Sequence, residues 1–333
     1  MREGICIAGN LIVDILYPIE SYPGKSELTT ITEGITRTTG GAACNVGMDL
    51  ASLDPDLPLN VVGIVGDDPD GDYIIGQFEK YKNVDLSGVK RKGVTSFTAV
   101  MCENTTKART FFQYRGANAQ FNEADFNWKT INARILHIGY ILLLDALDQP
   151  DAEYGTKMAR LLARAQSEGI KTSVDVVSEV GNRFEALVPP ALKYTDYCII
   201  NELEAQQATG IQLRSGDGAL LKENMGTALE KLFAMGVSTW AVIHAPEGGF
   251  GMDGSGKLEQ VKSLKLPEGY IKGTVGAGDA FCAGVLYAAY QNADLGQAIV
   301  AGIASAACSL SQPGAAEGMK TMQEALALYE NLK

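Results

Sequence analysis

Histidine is scarce in this chain, with only His137 and His244 among 333 residues. Neither has a second His or a Cys at ligand spacing, so both read as core or rim residues and not as metal ligands. The six cysteines (Cys6, Cys44, Cys102, Cys198, Cys282, Cys308) are far apart and include none of the close pairs that mark zinc or redox sites. They read as buried free thiols in a reducing compartment. No apolar run reaches the length of a membrane span. The opening MREGICIAGNLIVDI sets an acid beside its single Arg and runs straight into a strand-like pattern, without the charged start, apolar stretch and cleavage site of a signal peptide. A cytoplasmic protein is expected. Basic clusters are missing as well: the net charge is -12, and the scattered Lys and Arg disfavour nucleic acid or a membrane surface as partner. With no repeat, low-complexity tract or Pro-, Gly- and Ser-rich linker, residues 1–333 read as one domain.

What is present is apolar sequence in short, bounded runs. At 46% hydrophobic residues the chain can bury a large core. Ile5 to Ala8, Val61 to Val65, Ile135 to Ile138, Thr172 to Val176, Tyr197 to Ile200 and Trp240 to Ile243 read as buried parallel strands. Ala152 to Gln166, Gly226 to Met235 and Ala277 to Tyr290 carry apolar residues at helical spacing, with Tyr287 and Tyr290 most simply core packing. The alternation predicts an α/β fold with a doubly wound, mostly parallel sheet flanked by helices. Leu28 to Thr39 and Ser96 to Tyr114 break the rhythm and read as edge strands of a small β appendage. In such a sheet, ligands gather beyond the carboxyl ends of the strands.

The most informative stretch is GTVGAGDAFCAGVLYAAY, Gly273 to Tyr290, a glycine-dense turn opening a helix with an acid in its first turn. Gly276 and Gly278 let a ligand approach the backbone, and the free N–H groups of Ala277, Gly278 and Asp279 would form an anion cradle, helped by the helix dipole. A carboxylate there can take the proton of an incoming hydroxyl during phosphoryl transfer. The plainer alternative is a tight turn with Asp279 capping the helix.

GTVGAGDAFCAG resembles the C-terminal signature of the ribokinase-like, PfkB-type carbohydrate kinases. The resemblance implies that Asp279 is the catalytic base and that the amides of Gly276, Ala277 and Gly278 form the anion hole. GGAACNVGMDLASL resembles the family's N-terminal signature, which places Gly40, Gly41 and Asn45 in the sugar site. Asp14 of GNLIVDI then stands where relatives bind substrate hydroxyls. NELE is similar to the family's N-x-x-E motif, implying roles for Asn201 and Glu204 at the nucleotide, Glu204 holding magnesium through water. VGDDPDG and RGAN follow in the family's order, the latter adding Arg115 and Asn118 at the sugar mouth. Thr274 and Gly249 fall at nucleotide positions, and Asp175 near the phosphates. Segments of about 12–40 and 94–118 would form a lid, and relatives pair through such lids, implying a homodimer.

The implied activity is ATP- and magnesium-dependent phosphorylation of a hydroxyl, expected to be a primary one, on a small sugar or sugar acid. Ala42 lacks the Lys common in ribokinase and phosphosugar forms, which points to fructose-like or keto-deoxy sugar acid substrates. A nucleoside kinase and a catalytically silent sugar or nucleotide sensor are the alternatives. Two departures stand out. Gly273 replaces an Asp that helps form a monovalent-cation site in relatives, which puts that site in doubt. HAPEGGF, His244 to Phe250, replaces a nucleotide-contacting Thr and Gly, and Pro246 removes a backbone donor there.

Overall fold

The computed structural model describes residues 2–32, 34–106, 108–178 and 181–333. The strands are β1 (Ile5–Gly9), β2 (Ile12–Ile19), β3 (Thr36–Gly40), β4 (Leu59–Val65), β5 (Val84–Arg91), β6 (Ser96–Glu103), β7 (Arg109–Tyr114) and β8 (Ile135–Ile141). They continue as β9 (Pro150–Asp151), β10 (Gly155–Thr156), β11 (Lys171–Val176), β12 (Tyr197–Asn201), β13 (Trp240–Ala245), β14 (Gly248–Asp253) and β15 (Leu258–Lys262). The helices are α1 (Ala42–Leu53), α2 (Pro69–Phe78), α3 (Lys157–Ser167), α4 (Phe184–Leu192), α5 (Glu202–Thr209), α6 (Met225–Met235), α7 (Ala277–Tyr290), α8 (Leu295–Leu310) and α9 (Met322–Leu332).

Nine strands form the main sheet in the order β15-β14-β13-β12-β11-β8-β1-β4-β5, parallel from β13 through β5 and antiparallel at β14 and β15. Side chains alternate between two cores. Cys6 and Ala8 of β1 join a core with Met158, Leu161 and Leu229, whereas Ile5 and Ile7 face one with Val46, Phe281 and Ile299. Helices therefore cover both faces, which explains why the central strands read as unbroken apolar runs. A second sheet, in the order β3-β2-β6-β7, is built from residues 12–40 and 96–114 and leaves Phe111, Phe112 and Tyr114 exposed. Among the described residues no helix is long and apolar enough to cross a membrane. All six cysteines are free, five of them buried.

Three sequence expectations need correction. The helix expected from Ala152 begins at Lys157, because Thr156 caps it through Ala159 N–H. Ahead of that cap Asp151 accepts from the N–H groups of Glu153 and Tyr154, closing the β9–β10 turn. The strand expected over Leu28 to Thr39 is confined to Thr36–Gly40, with one isolated bridge at Ile31, and Glu33 lies outside the described residues. Ser96 to Tyr114 is a hairpin of two strands, β6 and β7, and not one; Lys107 lies outside the described residues.

Candidate active site

The carboxyl ends of β1, β8, β11, β12 and β13 bring Asn10, Tyr140, Asp175, Asn201 and His244 to one edge of the sheet. Two helices start above that edge. Gly41 caps α1 with φ 84°, and a Cβ there would lie 2.5 Å from the Asn10 carbonyl oxygen, so only glycine lets the chain turn so tightly. Gly40 serves differently: a Cβ on it would lie 2.3 Å from Oδ2 of Asp14. The missing side chain makes room for that carboxylate.

Gly276 caps α7 in the left-handed region, φ 79°, without any side-chain cap. The N–H groups of Ala277, Gly278 and Asp279 consequently have no acceptor among the described residues. Asp279 lies one turn into this field, 8% exposed. Tyr140 donates its hydroxyl to Oδ1 at 2.7 Å and Asn45 its amide to Oδ2 at 2.8 Å. Burial pushes the Asp279 carboxyl above the usual range, against these two bonds, which hold it down. Oδ1 of Asn45 is buried without a partner among the described residues and can accept from a ligand hydroxyl. Burial lifts Asp14 to about 6, with the Thr98 hydroxyl pulling it down and Asp279 pushing it further up.

A smaller cavity of about 220 Å³ holds Tyr140, Asp175, Ser178, Glu204 and Asp279. Asn201 caps α5 by accepting from the N–H groups of Leu203 and Glu204, and Glu204 accepts in return from Asn201 N–H at 3.0 Å. The N-x-x-E stretch is thus a capping box, and the same box fixes the Glu204 carboxylate at the cavity wall. Burial raises both Asp175 and Glu204, and the Glu204 charge raises Asp175 further. Among the described residues no three acid, His or Cys side chains converge on one point. Two unneutralised carboxyls, one already engaged by Asn201 and Ser178, fit a hydrated magnesium ion held mainly through water.

Beyond it a groove of about 620 Å³ runs between α5, the β13–β14 turn, α7 and α8. Leu264, Ile271, Phe281, Ile303 and Leu310 make it apolar, and Thr274 and Gly278 also line it. Asn201, His244 and Gly278 line both spaces. Arg214 grips Glu202 and Glu247 together, tying the start of α5 to the β13–β14 turn.

The structure thus gathers Asn201, Glu204, Thr274 and Ala277 to Asp279 along the two spaces, joins Asn45 to Asp279 by a hydrogen bond and sets Asp14 against Gly40, with Gly41 and Gly276 capping the two helices. It does not gather the rest. Asn118 is buried with its side chain turned onto the backbone of Leu11, donating to its carbonyl and accepting from its N–H, so it braces the β1–β2 turn. Arg115 donates to the Leu142 carbonyl at 3.1 Å and lies 4.0 Å from Asp145, and it lines neither space. Gly249 sits inside β14, where a Cβ would lie 2.4 Å from Ile299, and so serves packing against α8. Sequence reasoning passed over Tyr140, Thr98 and Asn10, whose side chain accepts from Tyr140 N–H at 2.6 Å. The one available signal was position, since Tyr140 lies just past the strand read at Ile135 to Ile138. His137 is a core residue, as expected, fully buried beside Ser173.

Residues 3–322 match the family model described as pfkB family carbohydrate kinase. The chain is 24% identical over 308 residues to a 5-dehydro-2-deoxygluconokinase of Shouchella clausii, covering 90% of this chain and 88% of that one. It is 22% identical over 338 residues to a nucleoside kinase of Methanocaldococcus jannaschii, covering 98% and 97%. The fold is similar to ribokinase from Thermotoga maritima, TM-score 0.79 at 18% identity, over 99% of both chains. Arabidopsis thaliana ribokinase complexed with ribose and ATP gives TM-score 0.78 at 20% identity, also over 99% of both.

Proposed function

Because the chain belongs to the pfkB family of carbohydrate kinases, we propose that it moves the γ-phosphoryl group of ATP to a hydroxyl of a small sugar or sugar acid. The observation that carries this reading is the Asp279 carboxylate. It is buried, oriented by Tyr140 and Asn45, and set in the first turn of a helix whose N–H groups are free. A carboxyl so held takes the proton of an incoming hydroxyl while the amides of Ala277, Gly278 and Asp279 stabilise charge on the transferring group. No covalent intermediate is needed.

The acceptor side is Asp14, Gly40 and Asn45. A carboxylate can accept two hydroxyl hydrogens from neighbouring carbons, and Asn45 offers a vacant acceptor beside the base. The donor side is the apolar groove of about 620 Å³, which extends to Gly278 at the free N–H groups of α7. ATP is supported by the ribokinase of similar fold whose structure is complexed with ribose and ATP. Glu204, with Asp175 beside it, would hold magnesium, which would neutralise phosphate charge. The small sheet acts as a lid that excludes water as a competing acceptor. Its exposed Phe111, Phe112 and Tyr114, together with Leu28, support pairing of two lids in a homodimer.

A nucleoside acceptor is the second reading, favoured by the match over nearly the whole chain to a nucleoside kinase. ADP formation with magnesium across sugars, sugar acids, sugar phosphates and nucleosides, run beside Asp279→Asn, separates the readings. Sugar-dependent turnover falling roughly a thousandfold in the variant is expected. Turnover only with nucleosides would replace the acceptor, and no turnover with any acceptor would overturn the catalytic reading in favour of a sensor.

A further inference from the structure

The chain turns sharply as it leaves β8. Leu143 N–H donates to the Tyr140 carbonyl at 3.2 Å, which makes Tyr140 the first residue of a tight turn and Leu142 its third. Leu142 stands there at φ 83°, in the left-handed region that glycine fills readily and a leucine adopts only under constraint. Its side chain is fully buried in the same core as Leu144 and Leu147, so the residue cannot swing outward to relax.

Strain of this kind persists where the surroundings over-determine it. Here charged groups grip Leu142 on both sides. Its N–H donates to Oδ1 of Asp148 at 3.2 Å. Its carbonyl accepts from Arg183 at 2.7 Å and from Arg115, just past β7, at 3.1 Å. Hydrogen bonds to ionised groups are stronger than neutral ones. Asp148 is itself held: it is 7% exposed and lies 3.7 Å from Arg183. The carbonyls on either side of it, those of Leu147 and Gln149, accept from Met158 and Lys157 N–H at the start of α3.

None of these three side chains lines the groove or the smaller cavity. What they hold does. Tyr140, at the head of the turn, lines the smaller cavity and donates its hydroxyl to Oδ1 of Asp279. Asn10 steadies the turn from the β1 side, accepting from Tyr140 N–H at 2.6 Å and donating to the Leu143 carbonyl at 3.3 Å.

We propose that Asp148 is a positioning residue for the catalytic carboxylate: by anchoring Leu142 in the left-handed conformation it sets the turn from which Tyr140 reaches Asp279. Arg115 and Arg183 complete the clamp from the carbonyl side. The inference rests on the reading of Asp279 as base and adds a residue which that reading does not use. Without the Asp148 carboxylate the buried Leu142 N–H loses its acceptor, and the turn relaxes toward ordinary φ. The Tyr140 phenol then no longer meets Asp279 in one geometry, while Asn45 and the two spaces stay as they are.

Steady-state kinetics with ATP, magnesium and the best acceptor of the panel above, on Asp148→Ala, Tyr140→Phe and the double variant, test the assignment, with the folded fraction taken from melting curves. Asp148→Ala should lower kcat about tenfold, the loss of one hydrogen bond to the base, and leave both KM values within about twofold. The double variant should be no slower than the slower single one, because both changes act through one bond. Asp148→Asn, whose amide oxygen still accepts from Leu142 N–H, should recover most of the rate. Asp148→Ser, too short to reach that N–H, replaces Asp148→Ala if the alanine variant folds poorly, and the same non-additivity is expected. Losses that multiply in the double variant, or a rate that falls only with the folded fraction, would overturn the assignment and leave Asp148 a structural anchor. Full activity in Tyr140→Phe would overturn it as well, with the kinase reading intact. An unmodified protein that phosphorylates no acceptor would overturn the kinase reading and this assignment with it.

Discussion

Tyr140 donates its phenolic hydrogen to Oδ1 of Asp279 at 2.7 Å, while Asn45 donates to Oδ2 at 2.8 Å from the opposite side. The two bonds do more than orient the carboxylate. Each stabilises its ionised form, and so each counteracts the burial that would otherwise keep a proton on the group.

Tyr140→Phe keeps the ring and removes one of these bonds. The Asp279 carboxyl should then hold its proton to higher pH. The acid limb of the kcat profile is expected to move toward alkaline pH, and kcat at neutral pH to fall about tenfold, with little change at high pH. A pH series of steady-state rates checks this. An unchanged acid limb would mean that Asp279 is not the titrating base.

Asp14 sets function against stability. Its carboxyl titrates near 6 in the folded protein against the ordinary 3.8, chiefly because it is buried. The folded state thus binds the proton more tightly than the unfolded chain, so this contribution to stability is full below the unfolded value and is lost as pH rises through 6. Ionising Asp14 costs up to about 3 kcal/mol. Asp14→Asn should therefore raise the melting temperature at pH 8 by a few degrees, with less effect at pH 4, and raise the acceptor KM about a hundredfold. Equal melting temperatures at pH 8 would show that the carboxylate is already relieved of its burial.

The pattern of what sequence reasoning reached follows from the physics of each element. The Gly40–Asn45 and Gly276–Asp279 stretches were legible because a left-handed cap followed by a helix demands glycine at fixed positions, and such demands survive in sequence. β14 was missed because three of its six positions are glycines that read as turn: Gly248, Gly249 and Gly251 are required by close approach to β15 and α8, not by a loop. β5 escaped because its alternation of charged and apolar residues belongs to an edge strand half in water. Tyr140 could not be singled out, since an aromatic residue in an apolar run is ordinary until Asp279 is placed opposite it. Asn118 shows the reverse error: a motif position told that the residue was needed, but not that its amide was already committed to Leu11.

Gly40 gives a steric test of the acceptor site. A methyl group there would lie 2.3 Å from Oδ2 of Asp14 and 2.6 Å from its Cγ, closer than real contacts allow. The side chain that must give way is the carboxylate itself, because the glycine sits on β3 paired in register with Ile12 of β2. Gly40→Ala should displace Asp14 into the acceptor space. The acceptor KM is expected to rise by about tenfold or more with the nucleotide KM unchanged. If both rose together, the two spaces would be coupled and Gly40 would not be an acceptor-side position.

Gly273 gives a test of whether a monovalent cation assists the reaction. A Cβ at this residue would lie 2.7 Å from the Pro313 carbonyl oxygen, 2.9 Å from Pro313 Cα and 3.0 Å from the Gln312 carbonyl oxygen. All three contacts are backbone, which cannot rotate aside as a side chain can, so an aspartate would force the 312–313 segment to move. The segment instead closes against the start of the catalytic turn, and Ser309 and Ala315 continue the same packing through a 3.0 Å hydrogen bond. With no carboxylate at this place to hold a potassium ion beside the helix N–H groups, we propose that the reaction needs no monovalent cation. Turnover should accordingly be the same in potassium, sodium and tetramethylammonium chloride at equal ionic strength. Gly273→Asp should lower stability by about 1–3 kcal/mol through overpacking, without conferring potassium activation. Strong activation of the unmodified protein by potassium would show that carbonyl oxygens alone build the cation site, and the steric argument would fail.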